Sequence, residues 1–258
     1  MHYPEESKRD RIATVLLEIG SLMMCSGANT ERIRVTLRRI ASAWGYNLEV
    51  MITHRSLIVT VMDNRGEVAF SKIKRIEPHT VNFAIVSNIS HMSWNVLEGN
   101  WSVEQVVNEV ERIKKTPHHK RWLVLLTVGL SDASFCFLLD GGYISMVISF
   151  IATVIGLYVR QEASKRKINP FVVVSLAAFT AAFIAQFAYF IPACKTPDAA
   201  FATSVLFLIP GVPLVNSITD LIDGNTQNGI ARGVNGFLIS FAIALGLMVA
   251  KMCSSIFI

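Results

Sequence analysis

Trp122-Leu-Val-Leu-Leu-Thr-Val-Gly-Leu-Ser-Asp-Ala-Ser-Phe-Cys-Phe-Leu-Leu139 carries one acid, Asp132, and no base. A helix that crosses a bilayer needs about 20 predominantly apolar residues, and this run approaches that length. Four more windows of the same kind follow, so the expected spans are 122–139, 143–159, 171–191, 199–221 and 234–250. The fourth is the least regular. Residues 119–258 therefore read as a membrane domain with about five transmembrane helices.

Composition divides the chain at the same place. Over all 258 residues, hydrophobic types make up 52% and charged types 17%, against about 25% charged in an ordinary soluble domain. Residues 1–121 hold 17 Lys/Arg and 13 Asp/Glu, and the remainder hold 7 and 6. The net charge of +5 does not point to nucleic acid, because the basic residues are scattered or sit at membrane edges. Cys25, Cys136, Cys194 and Cys253 lack CxxC spacing, so neither a disulfide framework nor a zinc site is expected. The polar stretch 2–10 has no apolar core, so no cleaved signal peptide is expected.

Basic residues in short loops fix the expected orientation. Lys114, Lys115, Lys120 and Arg121 precede the first span, and Arg160, Lys165, Arg166 and Lys167 follow the second. The loop Asp140-Gly141-Gly142 has none, and the third loop has only Lys195. Arg232 stands in the fourth loop and Lys251 ends the fifth span. The alternation predicts a multi-pass protein of the bacterial inner membrane, N-terminus cytoplasmic and C-terminus external.

Residues 1–118 read as a cytoplasmic α+β domain. Ile12, Leu16, Ile19 and Met23 recur at helical spacing. Gly27 can end that helix and Thr30 can cap the next. Ile33, Leu37, Ile40 and Trp44 give the second helix a buried face, and Gly45 stops it. Leu48, Val50 and Ile52 alternate as in a half-buried strand, 57–62 is rich in β-formers, and a turn at 63–66 sends 67–73 back as a hairpin. Helices follow at 80–97 and Val103–Lys114, the last with Ser102 and Gln105 at capping-box spacing. This half has no Gly-rich phosphate loop, nucleophile elbow or HExxH, and neither an enzyme nor a cofactor is expected. His54 reads as a turn or rim residue. His118 and His119 lie among bases at the membrane edge, with no third ligand nearby in sequence, so no metal site is expected.

The chemistry is concentrated in Pro210-Gly-Val-Pro-Leu-Val-Asn-Ser-Ile-Thr-Asp-Leu-Ile-Asp-Gly224. Pro210 and Pro213 remove two amide donors. Irregular backbone survives in a membrane only where protein or a water-filled cavity satisfies it, and broken helices of this kind form transporter sites near the midplane. Counting from Ala199 at about 1.5 Å per residue places the break near mid-bilayer. Asn216, Asp220 and Asp223 share one face at i, i+4, i+7. An acid within a span is costly and faces an interior or an aqueous path, so Asp220 is the first candidate for proton or ion coupling. Asp132 is the second. Pro210, Gly211, Pro213 and Asn216 are candidate substrate contacts. Arg232 suits an anion at the cytoplasmic mouth, or else a positive-inside anchor. Gln186 suits an interhelical hydrogen bond.

These residues resemble the threonine/serine exporter family, and more narrowly the longer component of its split, two-component succinate-exporter type. The resemblance covers nearly the whole chain. It rests on Ser26-Gly27-Ala28, Glu31, Leu37, Ile40 and Gly45; on Arg121-Trp-Leu-Val, Val128-Gly-Leu-Ser131, Phe135-Cys136 and Gly141-Gly142; on Tyr158 and Arg160-Gln161; and above all on Pro210-Gly211-x-Pro213-Leu214, Asn216, Asp220, Gly224, Gly229 and Ala231-Arg232. Asp132 and Asp223 are acids where that pattern requires none. The family's complete form has a second membrane half, so the resemblance implies a separate small membrane protein that supplies it. It also implies a secondary exporter of small organic acids, succinate or related C4 dicarboxylates first and threonine or serine second. A membrane-bound metabolite sensor is the rival reading, and the broken span argues against it. Homo-oligomerisation through an exposed sheet edge stays open.

Overall fold

The computed structural model describes residues 5–62, 68–76, 81–116 and 119–255. Two compact units divide the chain, Met1–Pro117 with Val212–Gly233, and His118–Gly211 with Val234–Ile258. The first thus takes in a segment that the division at 118 assigns to the membrane part.

In the first unit, α1 (Glu5–Cys25) buries Ile12, Leu16, Ile19 and Met23 completely. Its end is a Schellman turn. The Ala28 N–H donates to Met23 O and the Gly27 N–H to Met24 O, with Gly27 at φ +94°. Glycine reaches that backbone region without steric cost. The next helix, α2 (Thr30–Ala43), is capped by Asn29, whose Oδ1 accepts from Arg32 N at 2.9 Å. The expected cap Thr30 is instead the first helical residue, which leaves its amide free to bond elsewhere. Ile33, Leu37 and Ile40 fill the core, and Gly45 at φ +77° follows the helix end.

An antiparallel meander follows, with order β1 (Asn47–Ile52), β2 (Ser56–Met62), β3 (Val68–Arg75). Leu48 and Val50 point inward from β1, and Leu57, Val59 and Val61 from β2, as period-2 alternation requires. The expected turn at 63–66 lies outside the described residues, as do Pro117 and His118. Then α3 (Phe83–Gly99) and α4 (Val103–Lys114) close the core with Val86, Ile89, Met92, Val106, Val110 and Ile113. The capping box forms, with Ser102 Oγ accepting from Gln105 N and Gln105 Oε1 from Ser102 N.

The second unit is helical. Its elements are α5 (Arg121–Leu138), α6 (Tyr143–Lys165), α7 (Pro170–Ala185) continued by a 3-10 turn over Gln186–Phe190, and α8 (Pro197–Thr203) followed by a 3-10 turn over Leu206–Leu208. Beyond them run α9 (Gly211–Ile222) and α10 (Thr226–Ser255), the latter crossing from the first unit into the second. Four helices are long and apolar enough to cross a membrane, and five if the pair Pro197–Leu208 and Gly211–Ile222, bent by 63° at its break, is one span. The expected fourth span, 199–221, is therefore two pieces. The fifth starts earlier than 234, because 226–233 continues the helix among polar partners in the first unit.

Small residues let these helices approach, as they do where apolar burial cannot drive association. Ala177, Ala178, Ala181 and Ala182 of α7 are fully buried. A Cβ on Gly246 of α10 would overlap Ala178 Cβ and the backbone of Ser175 and Phe179. Gly246→Val should therefore force α7 and α10 apart and destabilise the chain by about 1–3 kcal/mol. The readout is a lowered melting midpoint of the detergent-solubilised protein, with Val147→Leu, at a residue 58% exposed on α6, as the control.

Candidate functional site

The prolines start a helix. Pro210 ends the preceding turn, and Pro213 is the third residue of α9, inside the first turn where amides have no intrahelical acceptor. From that start, Asn216 and Asp220 fall on one face. Asn216 Nδ2 donates to Gly27 O at 2.8 Å. Asp220 Oδ1 accepts from the Thr30 N–H at 2.9 Å, and the residue is fully buried. The amide that Asn29 leaves unbonded at the start of α2 is thus satisfied by an acid 190 residues away. The helix dipole adds to this contact, since it favours negative charge at an N-terminus.

The end of α9 is a second Schellman turn, with the Asn225 N–H on Asp220 O at 2.7 Å and the Gly224 N–H on Leu221 O at 3.2 Å. It reverses the chain so that the start of α10 returns beside α9. Ser217 Oγ then donates to Gly229 O at 2.7 Å. Arg232 reaches the same place, with Nη2 donating to Ala28 O at 3.2 Å and Nη1 lying 3.4 Å from Asp220 Oδ2. That last contact is within Coulombic range but misaligned, and neither atom makes a hydrogen bond.

Residues not singled out from sequence complete the cluster. Asn228 Nδ2 donates to Thr30 Oγ1 at 3.2 Å and to Ile52 O at 2.9 Å. Arg34 Nη2 donates to Asn225 Oδ1 at 2.8 Å. Asn228 Oδ1 and Asn225 Nδ2 are buried and unpaired. The signal for both lay in the polar run Asn225-Thr-Gln-Asn228, a poor composition for the start of a span. Of the expected residues, the structure joins Asn216, Asp220 and Arg232. Pro213 lies in the first turn of α9, and Gly211 and Asp223 are exposed. His54 stands at the exposed turn after β1; partial desolvation, then the charges of Arg55 and Arg232, push its pKa below the ordinary histidine range.

Asp132 belongs to the second unit. It lies on α5, is 3% exposed, and accepts at Oδ2 from Ser149 Oγ and from Thr153 Oγ1, the latter at 2.7 Å. Gln186 is buried with Nε2 unpaired. Among the described residues there is no group of three or more His, Cys, Asp or Glu placed to hold a metal ion.

Four or five helices of membrane-spanning length and apolarity mark a multi-pass membrane protein. The family profile described as "Putative threonine/serine exporter" matches residues 14–253, and the chain belongs to that family. A protein of Klebsiella aerogenes named "Probable succinate transporter subunit YjjP" is 28% identical over 251 residues, 95% of each chain. Its Escherichia coli namesake is 29% identical over 251 residues, 95% of this chain and 96% of the other. A "Probable threonine/serine exporter" of Mycobacterium tuberculosis is 20% identical over 244 residues, 93% of this chain but 46% of that protein. No solved structure matches the chain.

The cluster makes a stability prediction. Removing one partner from a buried ion pair costs about 3–5 kcal/mol, because the other charge is left uncompensated. Arg232→Met should therefore lower the melting midpoint more than the double variant Asp220→Asn/Arg232→Met, in which no charge remains. Equal midpoints for Arg232→Met and the unaltered protein would remove the pair from the structure's support.

Proposed function

We infer that the chain is one subunit of a secondary exporter for small carboxylate-bearing metabolites. The first cargo is succinate or a related C4 dicarboxylate, and a separate small membrane protein supplies the rest of the transporter. The charge pattern of the loops supports an N-terminal α+β region in the cytoplasm and a C-terminus outside.

The observation that carries this reading is the buried Asp220–Arg232 pair with its unpaired atoms. Arg232 is held by charge to Asp220 and by one hydrogen bond to Ala28 O. Arg232 Nη1 is buried and makes no hydrogen bond, so it has a donor to give to a carboxylate that enters the cluster. A carboxylate displaces Asp220 in the Coulombic contact, and a charge-assisted hydrogen bond to guanidinium is stronger than a neutral one. Asp220 then needs a new counter-charge, which a proton or ion supplies. Asn216, on the same face of α9 as Asp220, and Pro213 in its first turn are the further expected substrate contacts in that unit. Two relatives that match nearly end to end carry the words "transporter subunit" in their names, which supports a partner.

One observation favours a second cargo. The unpaired Asp220 Oδ2 beside Arg232 offers an acceptor next to a cation, the pattern that the ammonium and carboxylate of threonine or serine require.

Efflux of labelled succinate and labelled threonine from loaded cells lacking their own exporters tests both. The chain is expressed alone, then with a small membrane partner from the same source. Export that needs both proteins, and that Asp220→Asn abolishes at unchanged membrane levels, is the expected result. Unaltered efflux in Asp220→Asn removes that residue from the mechanism, and no export with both proteins in the membrane overturns the exporter reading.

A further inference from the structure

Asp220 has a cation beside it; Asp132, the buried acid of the second unit, has none bonded to it among the described residues. Asp132 lies about 16 Å along α5 from Arg121, at about 1.5 Å per residue. Its Oδ1 is buried and makes no hydrogen bond. Ser149 Oγ, bonded to Oδ2, also lies 2.8 Å from Thr203 Oγ1, and both residues are fully buried. Thr153 Oγ1 donates to Oδ2 and sits 3.5 Å from Ser204 O. Among the described residues no Lys, Arg or His side chain bonds to Asp132. The titratable groups near it are thiols: Cys136, one turn along α5, and Cys194, 3.2 Å from Ser145 Oγ. The nearer of the two α6 bases, Arg160, is seven residues beyond Thr153, and its Nη1 donates to Phe207 O at 3.4 Å.

A bare carboxylate in such surroundings costs several kcal/mol, so the site is stable when a cation shares it. The oxygens around Asp132 lie at hydrogen-bond distance from one another. Ligands at about 2.4 Å in an octahedral shell around a hard metal cation stand roughly 3.4 Å apart. The packing therefore has the spacing of a proton site.

A line of hydroxyls also runs towards it. Ser145, Ser149 and Thr153 recur every fourth residue on α6, which lines up three hydroxyls on one face about 6 Å apart. Ser145 Oγ lies 2.9 Å from Thr196 Oγ1 and donates to Thr196 O at 2.8 Å, and Thr196 Oγ1 accepts from Gly142 N at 2.8 Å. Two bonded groups, Gly142–Thr196–Ser145 and Thr203–Ser149–Asp132, thus stand one helical turn apart on α6, a step of about 6 Å that a single bridging water spans. The loop charges support an external placement of the Gly142–Thr196 end.

We propose that Asp132 is a membrane-embedded proton-binding site, reached from the external side through Ser145, Ser149 and Thr203. The carboxylate takes up one proton to become the neutral acid and gives back the same proton, with no other bond made or broken. The coupling of that proton to cargo rests on the exporter reading above: a proton moving inward at Asp132 opposes cargo moving outward.

Two measurements separate the site from the exporter reading. The first treats membranes containing the full chain with dicyclohexylcarbodiimide, which reacts with protonated carboxyls in apolar surroundings, and reads the Asp132 peptide by mass spectrometry. Labelling that falls as pH rises, that shifts its midpoint in Ser149→Ala, and that excess sodium leaves unchanged is expected. No labelling at any pH, or protection by sodium, overturns the proton site. The second compares net efflux with substrate counterflow in cells carrying both subunits. Asp132→Asn should lose net efflux and keep counterflow, while Asp132→Glu keeps both with a displaced pH profile. Loss of counterflow together with efflux, at normal membrane levels, overturns the coupling role. If the unaltered pair transports nothing but Asp132 still labels, the exporter reading falls and the proton site stands.

Discussion

A helix N-terminus leaves amide protons without intrahelical acceptors, and in α2 one of them, from Thr30, is buried away from water. Asp220 is what satisfies it. The carboxylate is itself buried and would be untenable alone, so Arg232 must lie against it. Arg232 can do so only because the turn at Gly224–Asn225 brings the start of α10 back beside α9. Asn216 on Gly27 O, Arg232 on Ala28 O and Asn228 on Thr30 Oγ1 then hold each successive part of the 27–30 loop. One unmet amide thus accounts for why Val212–Gly233 is compact with the N-terminal region.

The break before α9 follows from the same requirement of backbone satisfaction. Within a bilayer an unbonded peptide group costs several kcal/mol. Between α8 and α9 the chain answers locally, with the Leu208 N–H on Val205 O and the Ile209 N–H on Leu206 O. Arg160 donates to the carbonyl of Phe207, which no helix would otherwise use. The irregular stretch is therefore bonded, and Pro210 and Pro213 sit where a missing amide proton costs nothing.

What was legible in the sequence follows from range. Periodicity set out α1, α2 and the meander, because each depends on neighbours a few residues apart. The capping box at Ser102 and Gln105 is likewise local. At the start of α2 two adjacent residues, Asn29 and Thr30, both suit a cap, and only the distant Asp220 decides between them by taking Thr30's amide. Counting along 199–221 placed the break near mid-bilayer because it assumed one straight helix, whereas the prolines open a new one. The i, i+4 spacing of Asn216 and Asp220 did forecast a shared face; Asp223, one residue past the end of α9, is exposed and takes no part in the cluster's bonds. The polar run 225–228 marked Asn225 and Asn228 as out of place at the start of a span, but their partners, and the part played by Arg34, are set by the chain reversal and were not legible.

The two buried acids differ in the kind of partner they have, and this separates their chemistry. Asp220 is opposed by a guanidinium that cannot be deprotonated in a protein, so what it exchanges is its partner: another anion on Arg232, or a new counter-charge on itself. Asp132 is surrounded by hydroxyls, which donate or accept with a rotation about one bond and carry no fixed charge. Such a shell accommodates both states of a carboxyl, because a hydroxyl that donates to the anion can turn to accept from the acid. An ion pair has no such freedom. In the two proposed roles, exchange of charged partners falls to the acid that faces a fixed cation, and uptake of a proton on its own to the acid in a neutral hydroxyl shell.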